Sequence, residues 1–132
     1  MPRAAVPSQP NLPTFDASLA AGFVFEPLAQ WAASQPDKLA LVGRGVELTY
    51  SALERRTNQI ALALTAKGIG RGDRVSFVLP RGHQAILLLI GILKTGAAYV
   101  PLDSESPLTR IKDCLEDAKP KLVVVEELRL VP

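Results

Sequence analysis

At 132 residues the chain has enough length for one domain with a single buried core, and not for two. Its 15 basic and 13 acidic residues leave a formal net charge of +2 spread along the sequence, so neither nucleic acid nor an anionic membrane is the expected partner. Cys114 is the only cysteine, which excludes an internal disulfide and makes a reducing, cytoplasmic compartment the expectation.

Residues 1–22 carry Pro2, Pro7, Pro10 and Pro13, which interrupt any apolar run that a signal peptide needs, and they read as an extended or disordered arm ahead of one unit over residues 23–132. From Phe23 the pattern turns helical: Phe25, Leu28, Ala29 and Ala32 recur at intervals of three and four, with Trp31 beside them as a packing anchor, until Gln35-Pro36-Asp37 ends the run. Residues 38–42 then read as a strand, Gly43-Arg44-Gly45 as a tight turn and residues 46–49 as the returning strand of a hairpin.

The next helix, residues 50–67, is the most clearly amphipathic. Leu53, Thr57, Ile60 and Leu64 share one face, and Glu54, Arg55, Arg56 and Gln59 are assigned to the wet one. Its start has two candidates: Thr49 capping alone, or a start two residues later in which Ser51 and Glu54 supply the S-x-x-E capping spacing.

Gly68-Ile69-Gly70-Arg71-Gly72-Asp73 is glycine-rich, but phosphate-cradling loops follow a strand and open a helix. This one follows a helix and precedes a strand, so it reads as a helix cap and turn. Arg71-Gly72-Asp73 also spells an adhesion tripeptide, to which a chain with neither secretion signal nor disulfide gives no extracellular meaning. Residues 74–79 alternate as a strand ended by Pro80. Arg81-Gly82 then lead to His83, the only histidine, at the kind of strand-to-helix turn where ligands dock in Rossmann-like sheets. With no carboxylate at meaningful spacing, His83 reads as a capping or solvated residue.

From His83 to Leu93 nearly every side chain is apolar, so this helix is expected to be greasy on all sides and sandwiched within the fold. The run is too short for the roughly 20 residues of a membrane span. Lys94 and Thr95 close it, Gly96 supplies a positive-φ cap, and residues 97–100 leave as an extended segment that Pro101 is expected to stop. Ser106 reads as the N-cap of a last helix with Pro107 at its first position. Leu108, Ile111, Leu115 and Ala118 form its buried stripe, with Asp113, Glu116 and Asp117 on its wet side and Cys114 as an inert border residue. Residues 121–125 are the last strand. A helix, a hairpin and then α-β-α-β-α-β alternation define an α/β fold with a parallel sheet and right-handed crossovers, a partial Rossmann-like layered architecture.

One stretch carries more than a pattern. Leu93, Lys94, Gly96, Ala98, Tyr99, Pro101 and Asp103 stand within the order Leu-Lys-(small)-Gly-(small)-Ala-Tyr-Val-Pro-Leu-Asp, followed by Pro107, Arg110 and Ile111. Upstream, Leu48, Thr49, Tyr50 and Leu53 stand within Leu-Thr-Tyr-Ser-Ala-Leu. These strings resemble motifs of the adenylate-forming, AMP-binding enzymes, in particular the amino-acid adenylation domains of nonribosomal peptide synthetases, with Ala52 where that family usually has Glu. The resemblance spans most of the chain outside its two ends.

It implies the start of the large N-terminal subdomain of an ATP-dependent ligase of secondary metabolism. Such a ligase joins an amino acid to AMP, using ATP and Mg, and then passes the acyl group to a carrier thiol. The Ser/Thr/Gly-rich phosphate loop with its Lys, the amino-acid pocket, the ribose-binding Asp and the catalytic Lys of that family have no counterpart here. The motif residues that do match are structural ones, so no catalytic, cofactor-binding or metal residue is assigned, and the chain alone is expected to bind neither ATP nor Mg. Three readings follow: a truncated adenylation domain inactive by itself, one half of a split adenylating enzyme, or a non-catalytic docking module. The expected partners are the remaining adenylation-domain segments or a carrier protein, together with self-association through uncovered apolar surface.

Overall fold

The structure, a computed structural model, describes residues 25–126; the expected arm over residues 1–22, with Phe23, lies outside them. The described elements are α1 (Glu26–Ser34), β1 (Leu39–Gly43), β2 (Val46–Thr49), α2 (Tyr50–Ala66), β3 (Arg74–Leu79), α3 (His83–Lys94), β4 (Ala98–Asp103), α4 (Leu108–Ala118) and β5 (Leu122–Val125). They stack in four layers: the antiparallel β1–β2 hairpin with α1, the α2–α3 pair, a parallel sheet of order β4-β3-β5, and α4.

The strand order dictates which face each helix takes. From β3 the chain steps to one side to reach β4, then crosses back over β3 to reach β5. With right-handed crossovers, that reversal sends α3 and α4 to opposite faces. On the α3 face, Val75, Phe77 and Leu79 of β3 meet Leu64, Ile69, Leu88, Ile92 and Ala97, all buried, with Leu122 and Val124 of β5 beside them. A second cluster, Leu48, Leu53 and Leu87, joins the hairpin to α2 and α3. Among these helices α3 is sandwiched as expected, but not on every side: Ile86 is exposed. Gly91 marks its closest approach to α2, where an added Cβ would stand 2.8 Å from Ile60 Cβ.

Thr49 caps α2 alone, its hydroxyl accepting from Ala52 N–H at 3.1 Å. The alternative start at Ser51 is not used. Pro101 does not stop its strand. The amides of Ala98 and Ser104 donate inward to Asp73 and Leu79 at 2.9 and 3.3 Å, so odd-numbered residues of this edge strand turn their backbone outward and the missing N–H of Pro101 falls on the open side. The last helix starts one residue later than its composition suggests: Pro107, not Ser106, is the N-cap, and no side chain caps it. Its stripe is also shorter. Ile111 is buried and Leu115 and Ala118 half-buried, whereas Leu108 is 83% exposed because nothing among the described residues lies over the first turn of α4. Trp31 is a partial anchor, exposed on one side and stacked on Tyr50 at 5.9 Å with Lys38 Nζ 5.4 Å from its ring.

Candidate functional site

The helices that carry the two motifs, α2 and α3, are joined through one side chain. Lys94, at the last turn of the apolar α3, has its side chain 7% exposed, and its Nζ donates to Glu54 Oε1 at 2.8 Å, Thr57 Oγ1 at 2.9 Å and Asn58 Oδ1 at 2.7 Å. Three donors and three acceptors make a complete ammonium site. Thr57, fully buried, uses its own hydroxyl proton on Leu53 O at 2.8 Å. Glu54, expected on the wet face of α2, is therefore half-buried against α3, and its Oε2 is buried with no hydrogen-bond partner. Sequence reasoning missed this site. The available signal was a lysine at the end of an otherwise apolar helix and three polar residues, 54, 57 and 58, at helical spacing.

The rest of the Leu93–Asp103 motif forms a tight turn and an edge strand. The Thr95 hydroxyl donates to Ile92 O at 2.6 Å and accepts from Ala97 N–H at 3.2 Å, while Gly96 takes φ 86°, a left-handed conformation that favours glycine, against the Arg71 backbone. Leu93 is half-buried, Ala98, Tyr99 and Pro101 are exposed, and Asp103 ends β4 half-buried. In the upstream motif Leu48 and Leu53 are buried, Thr49 is the cap and Tyr50 receives Trp31. Pro107 and Arg110 lie exposed at the start of α4.

The glycine-rich loop sits at the amino ends of the parallel strands, away from the carboxyl ends where α/β sheets bind ligands. There Asp73 accepts from Gly70 N–H at 2.8 Å and lies 3.4 Å from Lys121 Nζ, which also donates to Gly68 O at 2.7 Å. The Gly70 hydrogen bond, which outweighs the opposing effect of burial and is helped by Lys121, holds the Asp73 carboxyl below the ordinary carboxylate range. At the opposite, carboxyl end Arg81 Nε lies 3.5 Å from Asp103 Oδ2, the guanidinium exposed and the carboxylate half-buried. His83 opens α3 there without a carboxylate partner among the described residues. No group of three or more His, Cys, Asp or Glu side chains converges among the described residues, and no described helix is long and apolar enough to cross a membrane. Among the described residues the arrangement positions elements of the fold.

These layers, a parallel sheet with helices on both faces and a lysine clamp joining α2 to α3, define an α/β scaffold of the adenylate-forming type. The family described as AMP-binding enzyme matches residues 28–131, and the chain belongs to it. It is 41% identical over 92 residues to the dimodular nonribosomal peptide synthase of Bacillus subtilis (strain 168), covering 70% of this chain and 4% of that one. A solved four-domain nonribosomal peptide synthetase bound to AMP and glycine matches with TM-score 0.75 and 34% identity over 81% of this chain and 8% of that one. VinN in complex with L-aspartate matches with TM-score 0.73 and 27% identity over 77% of this chain and 29% of its own. The chain thus spans well under two thirds of the relatives it matches.

Proposed function

We propose that this chain is the N-terminal part of an amino-acid adenylation domain and has no adenylating activity by itself. The observation that carries the reading is the fold match to a nonribosomal peptide synthetase over 81% of this chain and only 8% of that one. In this reading Leu48, Thr49, Tyr50, Leu53, Leu93, Lys94, Gly96, Ala98, Tyr99, Pro101, Asp103, Pro107 and Arg110 are scaffold residues; Leu48 and Leu53 in the core, Thr49 as a cap, Lys94 as a clamp and Gly96 in a turn support it. ATP, with Mg as its metal cofactor, is held by the remainder of the domain, and the amino acid and the carrier thiol also meet that remainder.

Amino-acid-dependent ATP–pyrophosphate exchange tests the reading. The isolated chain is expected to give none and to show no magnesium-dependent ATP binding, whereas exchange should appear when the remainder of an adenylation domain is supplied. Exchange or tight Mg-ATP binding by the isolated chain overturns it. A specific macromolecular partner bound by a stably folded monomer, without exchange in any mixture, points instead to a docking module.

A further inference from the structure

Phe25, the residue that leads into α1, borders two adjoining hollows, and the Lys94 clamp borders both with it. One, of about 570 Å³, lies between α1 and α2 and is walled by Ala29, Ala61, Leu62 and Thr65. The other, of about 460 Å³, continues past the end of α3 to Leu93, Gly96 and Arg71. Leu62 stands in the middle of the first lining and is 71% exposed. Because Lys94 already donates to Glu54, Thr57 and Asn58, what this groove offers a ligand is apolar surface rather than a free cation.

The 24 residues ahead of Phe25 are of two kinds. The first thirteen hold Pro2, Pro7, Pro10 and Pro13. Residues 15–24, Phe-Asp-Ala-Ser-Leu-Ala-Ala-Gly-Phe-Val, hold no proline and one charge, Asp16, and they set Phe15, Leu19 and Phe23 at intervals of four. Between these large residues Ala17, Ala20 and Ala21 are small enough for close approach to Ala29 and Ala61. The match to the AMP-binding family begins at residue 28, so this stretch stands ahead of the shared fold. Its covalent join to Phe25 puts it at the groove at an effective concentration on the order of millimolar, at which weak apolar contacts suffice. We infer that residues 15–24 dock intramolecularly in the groove between α1 and α2, with Leu19 against Leu62, as a strap beside the Lys94 clamp. This contact does not depend on the adenylation reading.

A double-mutant cycle on the full 132-residue chain, read by urea unfolding at concentrations where sedimentation shows a monomer, tests it. Leu19→Ser and Leu62→Ala should each lower the folding equilibrium constant roughly tenfold, because each removes an interaction made only in the folded state. The double variant should lose little more than either single one. Leu19→Ser combined with Val42→Ala, on the hairpin away from the groove, should be additive. In the unaltered chain, proton cross-relaxation between the Leu62 methyls and the Leu19 methyls or the Phe15 or Phe23 ring reads the same contact without a substitution.

A Leu19→Ser variant as stable as the parent, additive losses for Leu19 and Leu62, equal coupling of Leu19 to Val42, or no cross-relaxation in the monomer each overturns the inference. Coupling that disappears on dilution assigns the groove to a second copy and overturns it as well. The predicted coupling in a chain that never supports ATP–pyrophosphate exchange leaves the strap standing and counts against the functional reading alone.

Discussion

Lys94 shows how a single side chain can settle the packing of two helices. Its ammonium is held by Glu54, Thr57 and Asn58, yet Glu54 Oε2 remains buried without a partner, so the pair is not fully compensated for leaving water. Truncating one partner is therefore worse than removing both. Lys94→Met should cost roughly 3 kcal/mol in urea unfolding, because it strands a half-buried carboxylate, and the double variant Lys94→Met with Glu54→Leu should recover most of that loss. Equal loss in single and double variants would show that the contacts to Thr57 and Asn58, not the ion pair, carry the clamp. Glu54 also marks where the sequence stops being legible at this scale. A charge on an amphipathic helix belongs to solvent by default, and only a partner 40 residues away in the chain reverses the assignment.

At the scale of elements, much could be read directly: β3 occupies the strand expected from its alternation, and α2 begins at Tyr50 behind its Thr49 cap. What escaped depends on position in the assembled sheet. Pro101 interrupts an interior strand but not an edge, and edge status is a property of the strand order. Leu108 lies on the apolar stripe of α4 yet extends beyond what the sheet covers. The α2–α3 crossing can be tested at Gly91. Alanine there would gain about 1 kcal/mol in helix propensity, but its Cβ would press on the branched base of Ile60, which cannot swing away, at an overpacking cost of roughly 1 to 3 kcal/mol. Gly91→Ala is expected to lower the thermal midpoint; a rise would mean that α2 and α3 separate without penalty.

The loop before β3 yields a pH prediction. The folded-state Asp73 carboxyl is held below its ordinary range, so its contribution is fully present above the unfolded value, about 3.9, and is lost as pH falls through the lower folded value. Asp73→Ala should therefore make stability fall less steeply with pH below about 4 than in the parent chain. An unchanged slope would show that the Gly70 and Lys121 contacts do not persist in solution.

For the whole molecule the decisive feature is an imbalance between faces. One side of the parallel sheet is closed by α2 and α3 over a continuous buried cluster, and the other carries, among the described residues, α4 alone, with Leu108, Val123 and Val125 exposed beside an apolar edge strand. A net charge of +2 supplies little repulsion to keep two such surfaces apart. An apolar sheet edge with no strand beside it among the described residues can accept that of a second copy, so the 132-residue chain should self-associate as its concentration rises. Sedimentation velocity over a concentration series reads this directly. Val125→Lys should shift the chain towards monomer by roughly tenfold in concentration, because a lysine beside its counterpart opposes pairing, and Val42→Lys should leave the association as it was. A monomeric parent chain with a sharp cooperative melt would mean that the α4 face is stable as it stands, and that its exposed valines ask for no further layer.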